Sequence, residues 1–167
     1  MRDKNRSYKK ITKSDLRRLA RIALVDREGL FERKKELANI YRKKLLCVAL
    51  CQGAADHYVN GKNGINDFDV WSFYIESKIR PFPYRRKVSK DFGDPKFGND
   101  KIKKEYIGRR VDIMGRSIPF YKGQSPIDAM VTYLTTSYNK TPKMLLEKAV
   151  VIIEPQRHIG KIVWPKK

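Results

Sequence analysis

Asp67 and Asp69 open the run DFDVWSFYI, and Asp112 lies between Val111 and Ile113 in RRVDIMGRSI. Both runs are rich in aromatic and β-branched residues and read as strands, over 67–75 and 109–118. Alternation along a strand puts Asp67 and Asp69 on one face and Phe68 and Val70 on the other. Two ionised carboxylates side by side repel each other unless a cation or a proton lies between them. On an otherwise apolar strand that cost points to a divalent metal. Magnesium suits the pair, because it takes oxygen ligands and enters through one or two carboxylates together with substrate phosphates. Asp112 offers a third carboxylate from a second apolar strand. A D-x-D pair in a solvated turn would carry little meaning, and the aromatic strand around this one gives it weight.

The other chemistry-bearing residues are less pointed. LLCVALCQG (45–53) ends in Gly53-Ala54-Ala55 before a short helix, where small residues let backbone N–H groups approach a phosphate and a helix start favours an anion. His57 reads as a helix residue packed on its neighbours and His158 as a surface residue. Neither belongs to a recognisable Ser or Cys nucleophile motif, which leaves hydrolase chemistry without support. Cys47 and Cys51 are the only cysteines. They sit in an apolar run, where core packing is expected rather than zinc. The DFG of DFGDPKFG lacks the accompanying kinase motifs, and the chain is too short for a kinase.

Positioning the aspartates requires a sheet, and the flanking segments supply helices. Basic residues 1–13 read as a flexible arm. Ser14 caps a helix from Asp15 to Val25, and Asp26 caps a second with Leu30, Phe31, Leu37, Ile40 and Tyr41 on its apolar side. Residues 45–53 read as a buried central strand. The proline- and glycine-punctuated stretch from Arg80 to Tyr106 is mostly loop, with room for a hairpin. Ser125-Pro126 and Thr141-Pro142 each open a helix, the second continuing through Ile153, and HIGKIVWP offers a short edge strand. The expected fold is α+β: a small mixed sheet carrying the carboxylates, helices packed on it, an N-terminal helical pair over 14–44 and C-terminal helices within a unit spanning 45–167, all in one compact domain.

The chain's 167 residues carry 38 Lys and Arg against 18 Asp and Glu, a formal charge of +20. Residues 1–44 hold +10, residues 78–110 hold +8 and residues 111–167 hold +5, whereas residues 45–77, with the D-x-D pair, hold −3. One acidic block embedded in a basic chain attracts polyanions, nucleic acid first among them. No apolar run approaches a membrane span and no secretory signal pattern is present, so no membrane partner and a cytoplasmic location are expected.

In order, the chain has a strand, a glycine, a short helix, a turn, a strand with D-x-D, a long loop and a strand with Asp112. Over about residues 30–150 this resembles the nucleotidyltransferase superfamily, the group that includes DNA polymerase beta, CCA-adding enzymes and small stand-alone nucleotidyltransferases. GINDFDVWSFY is similar to uncharacterised bacterial proteins carrying this domain. The resemblance implies a metal-dependent transfer of a nucleoside monophosphate from a nucleoside triphosphate such as ATP to an acceptor hydroxyl, with RNA as the expected acceptor. It implies that Asp67, Asp69 and Asp112 are catalytic and hold Mg²⁺, in a two-metal site, and that Gly53 and Ala54 hold the triphosphate. Ala54 departs from the usual Gly or Ser, losing a hydroxyl but keeping the backbone N–H. Arg85, Arg86, Lys96, Arg109 and Arg110 are candidate phosphate contacts. The competing expectations are a non-catalytic nucleic-acid-binding module on the same fold, and a toxin–antitoxin component that requires a protein partner.

Overall fold

The structure, a computed structural model, describes residues 2–83 and 87–165; Arg85 and Arg86 lie outside the described residues. It is the expected α+β arrangement: a mixed sheet with helices on both faces. The strands are β1 (Leu45–Cys51), β2 (Phe68–Ile75), β3 (Val88–Asp91), β4 (Arg110–Ile118), β5 (Val150–Glu154) and β6 (Ile162–Trp164), in spatial order β3-β4-β2-β1-β5-β6. β2 and β4 run parallel, and the other neighbouring pairs are antiparallel. Their parallel pairing explains the long connection between them, since parallel neighbours need a crossover.

Alternation divides the sheet into two apolar faces. Val48, Leu50, Phe68, Val70, Val111, Ile113, Val151 and Ile153 meet α1 (Lys13–Arg33) and α3 (Gln52–Asn60) on one side. Cys47, Ala49, Cys51, Trp71, Phe73, Val150 and Ile152 meet α4 (Pro126–Thr136) and Leu145 of α5 (Lys140–Leu146) on the other. β1 and β5 are apolar on both faces because both are covered, which is why they read as continuous hydrophobic runs. The remaining helix, α2 (Lys35–Tyr41), closes a third cluster in which Tyr41, Tyr74 and Phe82 pack ring on ring.

Several expected boundaries move. α1 begins after Thr12, not Ser14: Thr12 Oγ1 accepts the Asp15 N–H while the Asp15 carboxylate accepts the Thr12 N–H. Asp26 does not start a second helix. It is buried within a continuous α1, beside Arg27, which is paired with Glu154 at 3.3 Å; the break comes at Lys34. The strands expected from Asp67 and Arg109 begin one residue later. The helix expected to run through Ile153 stops at Leu146, because Val150-Val151-Ile152-Ile153 is a β-branched run that fills the sheet position beside β1. The arm lies against the domain from Ser7 onward: Ser7 exchanges backbone hydrogen bonds with Ile65, and the Lys9 carbonyl lies 3.0 Å from His57 Nε2. No helix among the described residues is long and apolar enough to cross a membrane.

Candidate active site

The β2–β4 register places Asp69 directly beside Asp112. Ser89 of β3 is the next partner on one side, and Cys51 of β1 on the other. Ser89, Asp112, Asp69 and Cys51 therefore form one row across the sheet, on the face shared with Trp71 and α4. Asp67 stands one residue before β2 and joins the group through Arg110. The Arg110 guanidinium donates from Nη2 to Asp67 at 2.7 Å and from Nε to Asp112 at 3.2 Å. The three carboxylates thus converge on one side of the sheet, as the alternation argument requires.

Their environments differ. Asp112 is almost wholly buried and fully partnered: Ser89 Oγ donates to it at 2.7 Å, Arg110 binds it, and Lys87 Nζ approaches to 3.4 Å. Asp69 accepts no hydrogen bond among the described residues. Burial first, then the charges of Asp67 and Asp112, push its carboxyl up to about 7, against partial relief from Lys87 and Arg110. Burial works against the Arg110 charge, but the hydrogen bond to Asp67 and the pull of Asp112 outweigh it and raise the guanidinium's proton affinity. Asp69 is the group with an unmet demand for positive charge.

Cys51 caps the front of α3 without a side-chain bond, so the helix starts at the residue opposite Asp69. Gln52, the first residue of α3, holds φ +58, a left-handed conformation uncommon for a non-glycine residue. Gly53 follows in the first turn. A Cβ there would meet nothing closer than Lys148 Nζ, at 3.9 Å, so packing does not demand glycine and the space over the helix start is open. The Ala54 side chain points into the core, leaving only its backbone N–H for a ligand. Asp56 of α3 accepts the Ala149 N–H at 2.6 Å, which holds the turn bearing Lys148 against the helix. Lys148 is a cation the sequence pattern did not point to, because its segment read as mid-helix.

The other expected phosphate contacts lie elsewhere. Lys96 pairs with Asp15 at the start of α1. Arg109 is buried, donates from Nε to the Phe97 carbonyl at 2.7 Å, and has the strand parity of Val111, opposite to Asp112. Burial lowers its proton affinity. Both act as braces for the 92–109 loop. Cys47 and Cys51 are free and buried; burial pushes the Cys47 thiol up to about 12 and the Cys51 thiol up as well, so neither is a nucleophile.

The donor set is all oxygen, which suits a hard cation such as Mg²⁺. The arrangement is not a closed metal cage: among the described residues no three acidic, histidine or cysteine side chains converge tightly enough to hold an ion, and Arg110 stands between Asp67 and Asp112. Its chemistry is that of a group of carboxylates with one unsatisfied member, beside an open helix start, with Arg110 and Lys148 as nearby cations. Comparison of the chain with protein-family models, curated proteins and solved structures gives no match in any of the three.

Proposed function

We propose that the protein is a metal-dependent nucleotidyltransferase, moving a nucleoside monophosphate from a nucleoside triphosphate to a hydroxyl of a polyanionic acceptor such as RNA. The observation that carries this reading is the Asp69–Asp112 pairing across parallel strands, with the start of α3 opposite Asp69. Asp67, Asp69 and Asp112 fit Mg²⁺ by donor chemistry, and Asp69 supports this through its unmatched, raised carboxyl. When bound, Mg²⁺ would neutralise phosphate charge and assist departure of pyrophosphate.

The chain's own groups have distinct tasks in this reading. The first turn of α3, with Gly53 lacking a side chain, receives a phosphate on backbone N–H groups, and Lys148 adds charge beside it. Asp69, whose carboxylate accepts no hydrogen bond among the described residues, is the group most open to the ion, and a bound ion would favour its charged form. Ser89 and Arg110 hold Asp112 and Asp67 in place.

Arg110 favours a second reading. Its guanidinium already supplies positive charge to two of the three carboxylates, as a non-catalytic nucleic-acid-binding module on this fold would need. Incubation with α-labelled nucleoside triphosphates, Mg²⁺ and total cellular RNA separates the two. Label entering an acceptor with wild-type protein, and not with Asp69→Asn, supports transfer. RNA binding without transfer or Mg²⁺-dependent nucleotide binding supports the module.

A further inference from the structure

A row of basic side chains lies on the sheet face opposite the carboxylates. Lys13, Arg17 and Arg21 are exposed at every fourth position of α1, a row that climbs about 6 Å per step along one side of the helix. Between this row and the segment after β5 lies an open groove of about 490 Å³, lined by Arg17, Ala20, Arg21, Leu24, Glu154, Pro155 and Gln156. Glu154, the acidic residue lining it, is already committed to the buried Arg27. Exposed Arg157 follows Gln156 directly. Lys13 reaches the same rim, with its Cε 3.6 Å from the position of a Cβ at Gly160.

Several cations elsewhere on the molecule are used internally: Lys96 holds Asp15, Arg18 reaches Asp94, and Arg110 holds Asp67 and Asp112. Lys13, Arg17 and Arg21 form no ion pair or side-chain hydrogen bond among the described residues, and they stand in line along one helix. A linear row of uncommitted cations beside a groove matches a linear polyanion, because each contact releases a condensed counterion. We infer that this groove binds the phosphodiester backbone of a nucleic acid, on the side of the sheet away from Asp69 and Asp112. The inference rests on the α1 surface and does not require the carboxylates to be catalytic.

The test is fluorescence anisotropy with a labelled single-stranded RNA of about 20 nucleotides across a salt series. Arg17→Glu with Arg21→Glu is compared with Lys122→Glu and Lys140→Glu, which makes the same charge change ahead of α4 and at the first residue of α5. Exposure and the absence of partners leave the fold of both variants intact, and Arg17→Gln with Arg21→Gln serves as a milder version. The α1 variant should weaken binding at least about tenfold and flatten the log–log salt slope by about 1.4, from two lost contacts, while the other pair changes affinity by less than about threefold. Equal weakening by both pairs would reduce the effect to overall charge and overturn the proposal. So would an unchanged slope in the α1 variant, or unaltered RNA binding alongside lost binding to phosphatidylserine vesicles. Mg²⁺-dependent nucleotide binding, measured on the same variants, should not change, so failure here is separable from failure of the transferase reading.

Discussion

Asp69 and Asp112 are direct partners across the parallel β2–β4 pair, yet one is tied down and the other is not. Ser89, Arg110 and Lys87 all reach Asp112, whereas Asp69 stands without a hydrogen-bond partner among the described residues and holds its proton to about pH 7. Neighbouring carboxylates in such unequal settings divide the work: one is a fixed charge, the other is available to a cation or a proton.

This inequality makes stability depend on pH in a defined direction. The folded pKa of Asp69, about 7, lies above its ordinary value of 3.8, so the folded state binds more protons between these values and stability falls as pH rises through that window. Asp69→Asn mimics the protonated form. At about pH 8 it should be more stable than wild type, by on the order of 2–4 kcal/mol, with the gain vanishing below about pH 4. Denaturant melts at both pH values check this.

Asp112→Asn should behave in the opposite way. It leaves the Arg110 guanidinium short of a charge partner and weakens bonds from Ser89 and Lys87, so a loss of about 2–3 kcal/mol is expected. If Asp69→Asn and Asp112→Asn shift the melting temperature in the same direction, the two carboxylates are not in the unequal environments described.

Arg110→Gln removes the shared partner of Asp67 and Asp112 and should cost about 3 kcal/mol without divalent ions. Millimolar Mg²⁺ should restore part of that loss in the variant and raise the melting temperature of wild type by less, since ion and guanidinium answer the same charges. Thermal melts with and without Mg²⁺ measure both.

Gly53→Ala and Gly108→Ala form an informative pair. At Gly53 a methyl group meets open space within a helix, so stability should hold or rise by up to about 1 kcal/mol while nucleotide affinity falls. At Gly108 the added carbon would clash with the Asp94 carbonyl oxygen, so the loop return into β4 must shift and stability should fall. Melting curves and nucleotide titrations of the two variants distinguish a glycine kept for a ligand from one required by packing.

The carboxylates were legible because period-two alternation and apolar flanks are local properties of DFDVWS and RVDIM. The roles of the two adjacent arginines were not, although the same parity rule separates them: Arg110 shares the face of Asp112, while Arg109 turns inward to the Phe97 carbonyl. Lys96 looked available because its partner, Asp15, is distant in sequence and meets it only once α1 docks. Lys148 was obscured by the apolar positions around it, which fit a helical stripe as well as the end of a helix followed by a buried strand. Length and β-branching settle that choice for Val150–Ile153, but only the sheet position beside β1 requires it.

Equilibrium titration of a non-hydrolysable nucleoside triphosphate analogue, with and without Mg²⁺, tests the carboxylate site most directly. Wild-type protein should bind the analogue only when Mg²⁺ is present, and Asp69→Asn should lose that binding while folding at least as stably. Binding that ignores Mg²⁺ and survives Asp69→Asn, or no binding by a fully folded wild type, would contradict a metal–nucleotide site at these aspartates.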